Sequence, residues 1–189
     1  MFDVLLADER VDPSDYNNRA IFEASKYGRL GVVKLLLADK RVDPSDDDNS
    51  SIMWASELGH LDVIKLLLTD ERVDPADCDN YSILQAVKGE YTELVKLFLD
   101  DGRPDPTVHD NYILKEAILL GHSEIVKLLL ADKRVVPPDN CNFAIIRAAN
   151  NGYIETIELL LADKRVSPSI DNDNELKLAI ANMRLRTKT

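Results

Sequence analysis

Apolar and polar residues follow one another along this chain in a pattern that repeats every 31 residues. Each copy runs from a polar turn to a short apolar segment with helical spacing, then through a glycine to a Leu-rich second segment. A proline near the start of each copy marks the period: Pro13, Pro44, Pro75, Pro106, Pro137 and Pro168. A fixed period between about 20 and 50 residues is typical of solenoids, whose copies bury their apolar faces only against neighbouring copies. The pattern therefore predicts an all-α array of helix–turn–helix units.

The copies are predicted to form a single array over residues 1–189. Counting the residue before each proline as position 1, the full copies span 12–42, 43–73, 74–104, 105–135 and 136–166, with partial copies at 1–11 and 167–189. The first partial copy matches a second helix, because VLLADERV at 4–11 parallels LLLADKRV at 35–42. Its apolar side chains have no upstream copy to pack against, which predicts that the chain is cut from a longer array.

Positions that do not vary between copies indicate the structural framework. Position 13 is always alanine, which predicts close packing of neighbouring helices: Ala24, Ala55, Ala86, Ala117, Ala148 and Ala179. Position 17 is glycine in four copies and is expected to end the first helix, whereas Gly89-Glu90 in the third copy predicts an altered helix end. A lysine interrupts the second helix on the side expected to face solvent: Lys34, Lys65, Lys96 and Lys127.

Polar residues recur at three further positions. Position 7 is an asparagine, expected to close a turn or cap the following helix: Asn18, Asn49, Asn80, Asn111 and Asn142. Positions 28 and 30 carry an aspartate and an arginine in every copy. These rows form either an anion-binding track or ion pairs between neighbouring copies. Pairing is favoured because the opposite charges are equal in number and adjacent.

The net charge of −11 disfavours a nucleic-acid partner, because a phosphate backbone would be repelled. The charge mildly favours a partner with a basic surface, although it also keeps an extended array soluble. The aspartates at the turn tips lack the spacing and the closing glutamate of a calcium-binding loop, so no metal is expected. No apolar run reaches the ~18 residues of a membrane span, so no membrane association is expected.

The cysteines and histidines indicate which cellular compartment suits the protein and which kinds of catalytic or metal site the sequence could form. Cys78 and Cys141 lie in the turns of different copies, too far apart for a disulfide, which indicates free thiols in a reducing cytoplasm, with the nucleus left open. The start of the chain is too short and too acidic for a signal peptide.

His60 and His122 follow the glycine in two copies, which indicates packing or hydrogen bonding at a helix end. No catalytic constellation, phosphate-binding glycine loop or zinc spacing is present, so the sequence predicts neither enzyme activity nor a cofactor.

Two second-helix segments resemble a known family. GHLDVIKLLL at 59–68 and GHSEIVKLLL at 121–130 resemble the second-helix signature of ankyrin repeats, and the resemblance extends over essentially the whole chain. It implies paired antiparallel helices, with fingers projecting from one edge and a concave protein-binding face formed by the fingers and first helices. The period departs from the family's usual 33, the turn glycine is absent, and Ser50-Ser51-Ile52-Met53 replaces the family's Thr-Pro-Leu-His. The fingers are therefore expected to be short loops or hairpins.

Positions that vary while their neighbours stay constant are the candidates for recognition. Position 5 lies at the turn tip, and positions 12 and 16 lie one helical turn apart on the first helix. The predicted protein-binding residues at these positions are Tyr16, Glu23, Tyr27, Asp47, Trp54, Leu58, Gln85, His109, Glu116, Leu120, Arg147 and Asn151. Polar residues occupy positions 12 and 16 in several copies, so Trp54 and Leu58 are expected to be exposed, and exposed aromatic residues suit binding hot spots.

The sequence thus predicts a monomeric, intracellular module that binds a protein partner on the concave face. The alternative is a structural role, in which the array is a spacer or elastic segment of a larger protein and has no specific ligand. Loss of a partner after mutation of the concave residues would favour the module. Loss only after a change in array length would favour the spacer.

Overall fold

A computed structural model describes residues 8, 10–137, 142–166, 177 and 181 of this chain. The helices are α1 Asp15–Lys26, α2 Leu30–Leu37, α3 Asp46–Glu57, α4 Leu61–Leu67, α5 Asp77–Lys88, α6 Thr92–Asp101, α7 Val108–Leu120, α8 Ser123–Ala131, α9 Asn142–Asn151 and α10 Ile154–Ala162. The described residues contain no β-strand. The predicted all-α class of helix–turn–helix units is confirmed. The chain divides into two compact units, residues 1–105 and residues 106–189.

The first unit contains three helix pairs, α1–α2, α3–α4 and α5–α6. In each pair a three-residue turn joins the first helix to the second, and the two helices pack on each other. First helices also pack on first helices, α1 on α3 and α3 on α5, and second helices on second helices, α2 on α4 and α4 on α6. Each copy therefore buries its apolar residues against the next copy as well as within its own pair.

The second unit repeats this arrangement with two helix pairs, α7–α8 and α9–α10. The first helices α7 and α9 pack on each other, and so do the second helices α8 and α10. No helix in the described parts of either unit is both long enough and apolar enough to cross a membrane.

The small residue at position 13 is buried in every described copy. The exposed fraction is 6% at Ala24 and 0% at Ala55, Ala86, Ala117 and Ala148. A methyl group at this position lets first helices pack on one another, so the predicted framework role is confirmed for these five alanines, and Ala179 lies outside the described residues. The second-helix lysines are exposed, as predicted: Lys34, Lys65, Lys96 and Lys127.

A left-handed turn opens the first helix in each of the first four full copies. Three successive residues have φ between 49° and 63°, at 16–18, 47–49, 78–80 and 109–111. Left-handed backbone costs an L-residue about 1–2 kcal/mol, and Asn and Asp tolerate it best. Asn or Asp fills the second and third places of all four turns. The fingers of these copies are therefore short loops rather than hairpins.

The third copy ends its first helix at the same place as the two copies before it, contrary to the expectation from Gly89-Glu90. α5 ends at Lys88, which is position 15, and α1 and α3 also end at position 15. Glu90 adopts φ 59°, the left-handed conformation that Gly59 adopts in the second copy. The prediction of an altered helix end is wrong, because the backbone of this turn is kept even where the residue is not glycine.

Candidate functional site

The asparagine at position 7 joins successive copies in the first unit. Asn49 is buried; its Oδ1 accepts the backbone N–H of Asp74 at 2.8 Å, and its Nδ2 donates to Asp77 Oδ2 at 2.8 Å. Asn18 makes the equivalent two bonds to the second copy. The asparagine has a structural role, as expected, but its side chain does not cap its own helix. It forms hydrogen bonds to the next copy instead.

The arginine at position 30 also links neighbouring copies. Arg41 donates to the Asp39 carboxylate from Nε at 3.0 Å and from Nη2 at 2.6 Å, and its Nη1 donates to the Val11 carbonyl at 3.0 Å. The bonds from Arg41 lower the pKa of Asp39 to about 2. The favoured ion pairing is present, but each pair lies within one copy, and the link between copies runs from the guanidinium to a backbone carbonyl.

Glycine at position 17 accommodates a ring from the following copy. A Cβ added at Gly28 would lie 2.7 Å from the His60 ring, and one added at Gly59 would lie 2.6 Å from the Tyr91 ring. His60 Nε2 also lies 3.0 Å from the carbonyl oxygen of Lys26, the last residue of α1. The packing and helix-end hydrogen bonding expected for His60 are therefore confirmed.

We call the residues at positions 12 and 16 the first-helix strip. In the first unit it consists of Glu23, Tyr27, Trp54, Leu58, Gln85 and Gly89. Tyr27 is 58% exposed and Leu58 45% exposed, as the pattern predicts. Trp54 differs from the prediction, because it is half-buried and not fully exposed.

The Trp54 ring lies in a cluster of aromatic and cationic side chains supplied by α1. Phe22 meets it edge to face, with centroids 6.4 Å apart and an interplanar angle of 89°. The Lys26 ammonium lies 4.0 Å from the Trp54 centroid and within 6 Å of the Phe22 and Tyr27 centroids. A cation–π contact at an exposed site contributes about 0.5–1 kcal/mol. Trp54 therefore helps to join α1 to α3 while leaving part of its surface to solvent.

In the second unit the first-helix strip consists of Glu116, Leu120, Arg147 and Asn151. Glu116 is half-buried and the other three residues are exposed. Phe143, one turn before Arg147 on α9, is 66% exposed, and the Arg147 guanidinium carbon lies 5.8 Å from its ring centroid. This unit thus presents apolar and charged groups together on its first helices.

The turn tips are exposed and mostly acidic in the first unit. Tyr16 is 87% exposed, and Asp47 is exposed in the next copy, as His109 is in the second unit. No group of three or more His, Cys, Asp or Glu in the described part of the chain is arranged to hold a metal ion. Cys78 is an exposed free thiol, as expected, and Cys141 lies outside the described residues.

Sequence reasoning missed two sets of residues beside the strip. Phe22 and Lys26, at positions 11 and 15, complete the Trp54 cluster. Position 8 carries Tyr81, Tyr112 and Phe143 in successive copies, and the Tyr81 hydroxyl donates to Glu57 Oε2 at 3.0 Å. Burial and this hydrogen bond raise the pKa of Tyr81. The aromatic residue that recurs at position 8 is the signal that could have identified the second set.

Comparison with known proteins gives one result that covers most of the chain. The family model described as ankyrin repeats (3 copies) matches residues 1–82, 52–139 and 83–173. No curated protein matches the chain.

Proposed function

The chain belongs to the ankyrin repeat family, and from this premise we propose that it binds a protein partner through its first-helix strip and turn tips. Ankyrin repeats are generally protein–protein interaction modules and typically not enzymes. The observation that supports the proposal is the exposure of large apolar side chains at variable positions. Tyr27 and Leu58 are exposed on the first helices of one unit, beside the half-buried Trp54.

The framework positions differ from the strip in what their side chains contact. The asparagine, arginine and glycine rows make contacts between copies, as Asn49, Arg41 and Gly28 show. The position of Leu58 holds tyrosine, leucine, glycine or asparagine in the different copies, so the fold does not fix its chemistry. Side chains that vary from copy to copy can be matched to a partner, because the fold does not require the same residue in every copy.

The partner is proposed to have a basic surface. Exposed carboxylates at the turn tips of the first unit, including Asp47, Asp48 and Asp79, lie on the copies that carry the strip. The net charge of −11 adds a long-range attraction for cations. Charge complementarity of this kind mainly raises the association rate and makes it dependent on salt. We place the module in the cytoplasm or nucleus and propose that it acts as a monomer, without catalysis or cofactor.

A structural spacer is the second candidate function. The bonds between copies favour it, because the same asparagine and arginine contacts recur from copy to copy and would carry load along the chain. A spacer has no use for exposed apolar residues at variable positions, however, and the first-helix strip has several. Partner binding therefore explains the exposed apolar residues of the strip, which a spacer role leaves unexplained.

The proposal predicts that Leu58→Asp weakens binding of the partner by at least about tenfold, because a charge replaces an apolar contact. The partner is captured on the intact chain, purified and titrated against each variant. Leu30→Asp is the matched control, because Leu30 is 40% exposed but lies at the start of a second helix. Equal affinities for the two variants would overturn the assignment of the strip.

A further inference from the structure

One cation of the first unit is held by aromatic rings and not by a carboxylate. Lys26 is the last residue of α1, and its ammonium lies 4.0 Å from the Trp54 centroid, 5.8 Å from the Phe22 centroid and 5.9 Å from the Tyr27 centroid. In the described part of the chain, Lys26 forms no ion pair. The rings attract the ammonium but do not neutralise its charge. Its N–H donors are therefore available to an acceptor from outside the chain.

Two glutamates on the same first helices are engaged with other side chains. Glu23, three residues before Lys26 on α1, forms an ion pair with Arg19. Glu57, on α3, accepts a hydrogen bond from the Tyr81 hydroxyl at 3.0 Å. Neither carboxylate can neutralise Lys26 without giving up its present contact.

A partner on the first-helix strip necessarily covers Lys26. The strip includes Trp54 and Tyr27, and the Lys26 ammonium lies close to both rings. Contact with these rings removes water from the ammonium, and burial of a charge without a counter-charge is strongly unfavourable. Because the chain holds no carboxylate against Lys26, the partner has to bring one.

The position of Lys26 is also restricted before any partner arrives. A lysine side chain normally loses rotamer freedom when it is immobilised in an interface, and this loss weakens binding. Contacts with three rings already limit the conformations of Lys26, which is half-buried, whereas Lys88 at the same position 15 of the third copy is exposed. Lys26 is therefore better suited than Lys88 to hold a partner's carboxylate.

We propose that Lys26 determines the specificity of the first-helix strip by forming an ion pair with an aspartate or glutamate of the partner. Apolar groups flank this acidic side chain on the partner, where they match Trp54 and Tyr27. The inference rests on the proposed function and deepens it. The partner's basic surface faces the acidic turn tips, whereas the strip itself selects a carboxylate.

The test selects a phage-displayed library of random peptides on the intact chain and titrates the binders against the unmodified chain and Lys26→Met. Methionine keeps an unbranched side chain on the rings and removes the charge. The binders are expected to share an Asp or Glu. Its replacement by the corresponding amide should weaken binding at least about fivefold on the unmodified chain and less than about twofold on Lys26→Met.

Two further variants control for charge and position. Lys26→Arg keeps the positive charge on the rings, so the preference for an acidic residue should persist. Lys88→Met removes an exposed lysine from the same position of another copy, and the preference should be unchanged.

An amide replacement that weakens binding equally on the unmodified chain and on Lys26→Met would overturn the ion pair. Binders rich in Arg or Lys that bind Lys26→Met more tightly would also overturn it, since the rings would then receive a cation of the partner in place of Lys26. In both cases, weaker binding to Leu58→Asp would leave the proposed function standing. Binders that Leu58→Asp leaves unaffected, or a library that yields no binder, would overturn the proposed function and this inference with it.

Discussion

Replacing Asn49 with alanine is expected to destabilise the protein by about 2–4 kcal/mol. The amide is buried and makes two hydrogen bonds to the next copy, one from a backbone N–H and one to a carboxylate. Alanine removes both bonds, of which the one from a backbone N–H contributes about 0.5–1.5 kcal/mol and the one to a carboxylate about 1.5–3 kcal/mol. The loss is measured as the change in the free energy of unfolding in urea.

Asp48→Ala is the matched control for this experiment. Asp48 precedes Asn49 in the same left-handed turn, at φ 52°, but its side chain is exposed. Its replacement therefore carries the backbone cost of alanine in this region, at most about 1–2 kcal/mol, without the loss of a buried bond. Equal losses from the two substitutions would show that the turn conformation, and not the bonds between copies, is what Asn49 contributes.

Gly59→Ala is expected to cost about 2–4 kcal/mol for two separate reasons. Gly59 has φ 72°, where an L-residue is strained. Its new Cβ would also lie 2.6 Å from the Tyr91 ring of the next copy, so the ring would have to move out of its packed position. Urea unfolding again measures the loss.

The control for this substitution is the same change at an unstrained glycine. Gly31 lies in α2, and a Cβ added there meets no atom within 4 Å. Gly31→Ala should therefore stabilise the protein by about 0.5–1 kcal/mol, through the lower entropy of the unfolded chain. A Gly59→Ala variant as stable as Gly31→Ala would contradict the close packing of Tyr91 on the preceding copy.

The helical framework was predictable because its signals are local and repeated. The 31-residue period specifies two helices per copy, and the constant alanine at position 13 identifies the buried face, as Ala55 and Ala86 show. The left-handed turns also had a local signal that sequence reasoning did not use. Asn or Asp at both positions 6 and 7, as in Asp48-Asn49, is the composition that this backbone tolerates.

The contacts between copies could not be predicted, because they depend on how one copy is placed against the next. The pattern shows that Asn49 recurs, but the donor and the acceptor that it reaches lie 25 and 28 residues later in the chain, respectively. The pattern predicts that Trp54 faces solvent, because its equivalents at position 12 are polar. Its partial burial comes from Phe22 and Lys26 of the preceding copy, and no other copy combines an aromatic residue with a lysine at these two positions.

Partner binding by the first-helix strip is tested most directly by measuring affinity and unfolding midpoint together for Trp54→Ala. The substitution removes the edge-to-face contact with Phe22 and the cation–π contact with Lys26. Those contacts contribute about 1–2.5 kcal/mol in all, so the midpoint should fall by no more than about 10 °C. Lys65→Ala, on the exposed side of α4, provides the control.

A protein partner captured on the intact chain should bind Trp54→Ala at least about 30-fold more weakly than the unmodified chain, and Lys65→Ala without loss. This is the result that recognition through the strip predicts. A collapsed midpoint with unchanged affinity, measured under conditions in which the variant is still folded, would contradict it. Trp54 would then serve only to join α1 to α3.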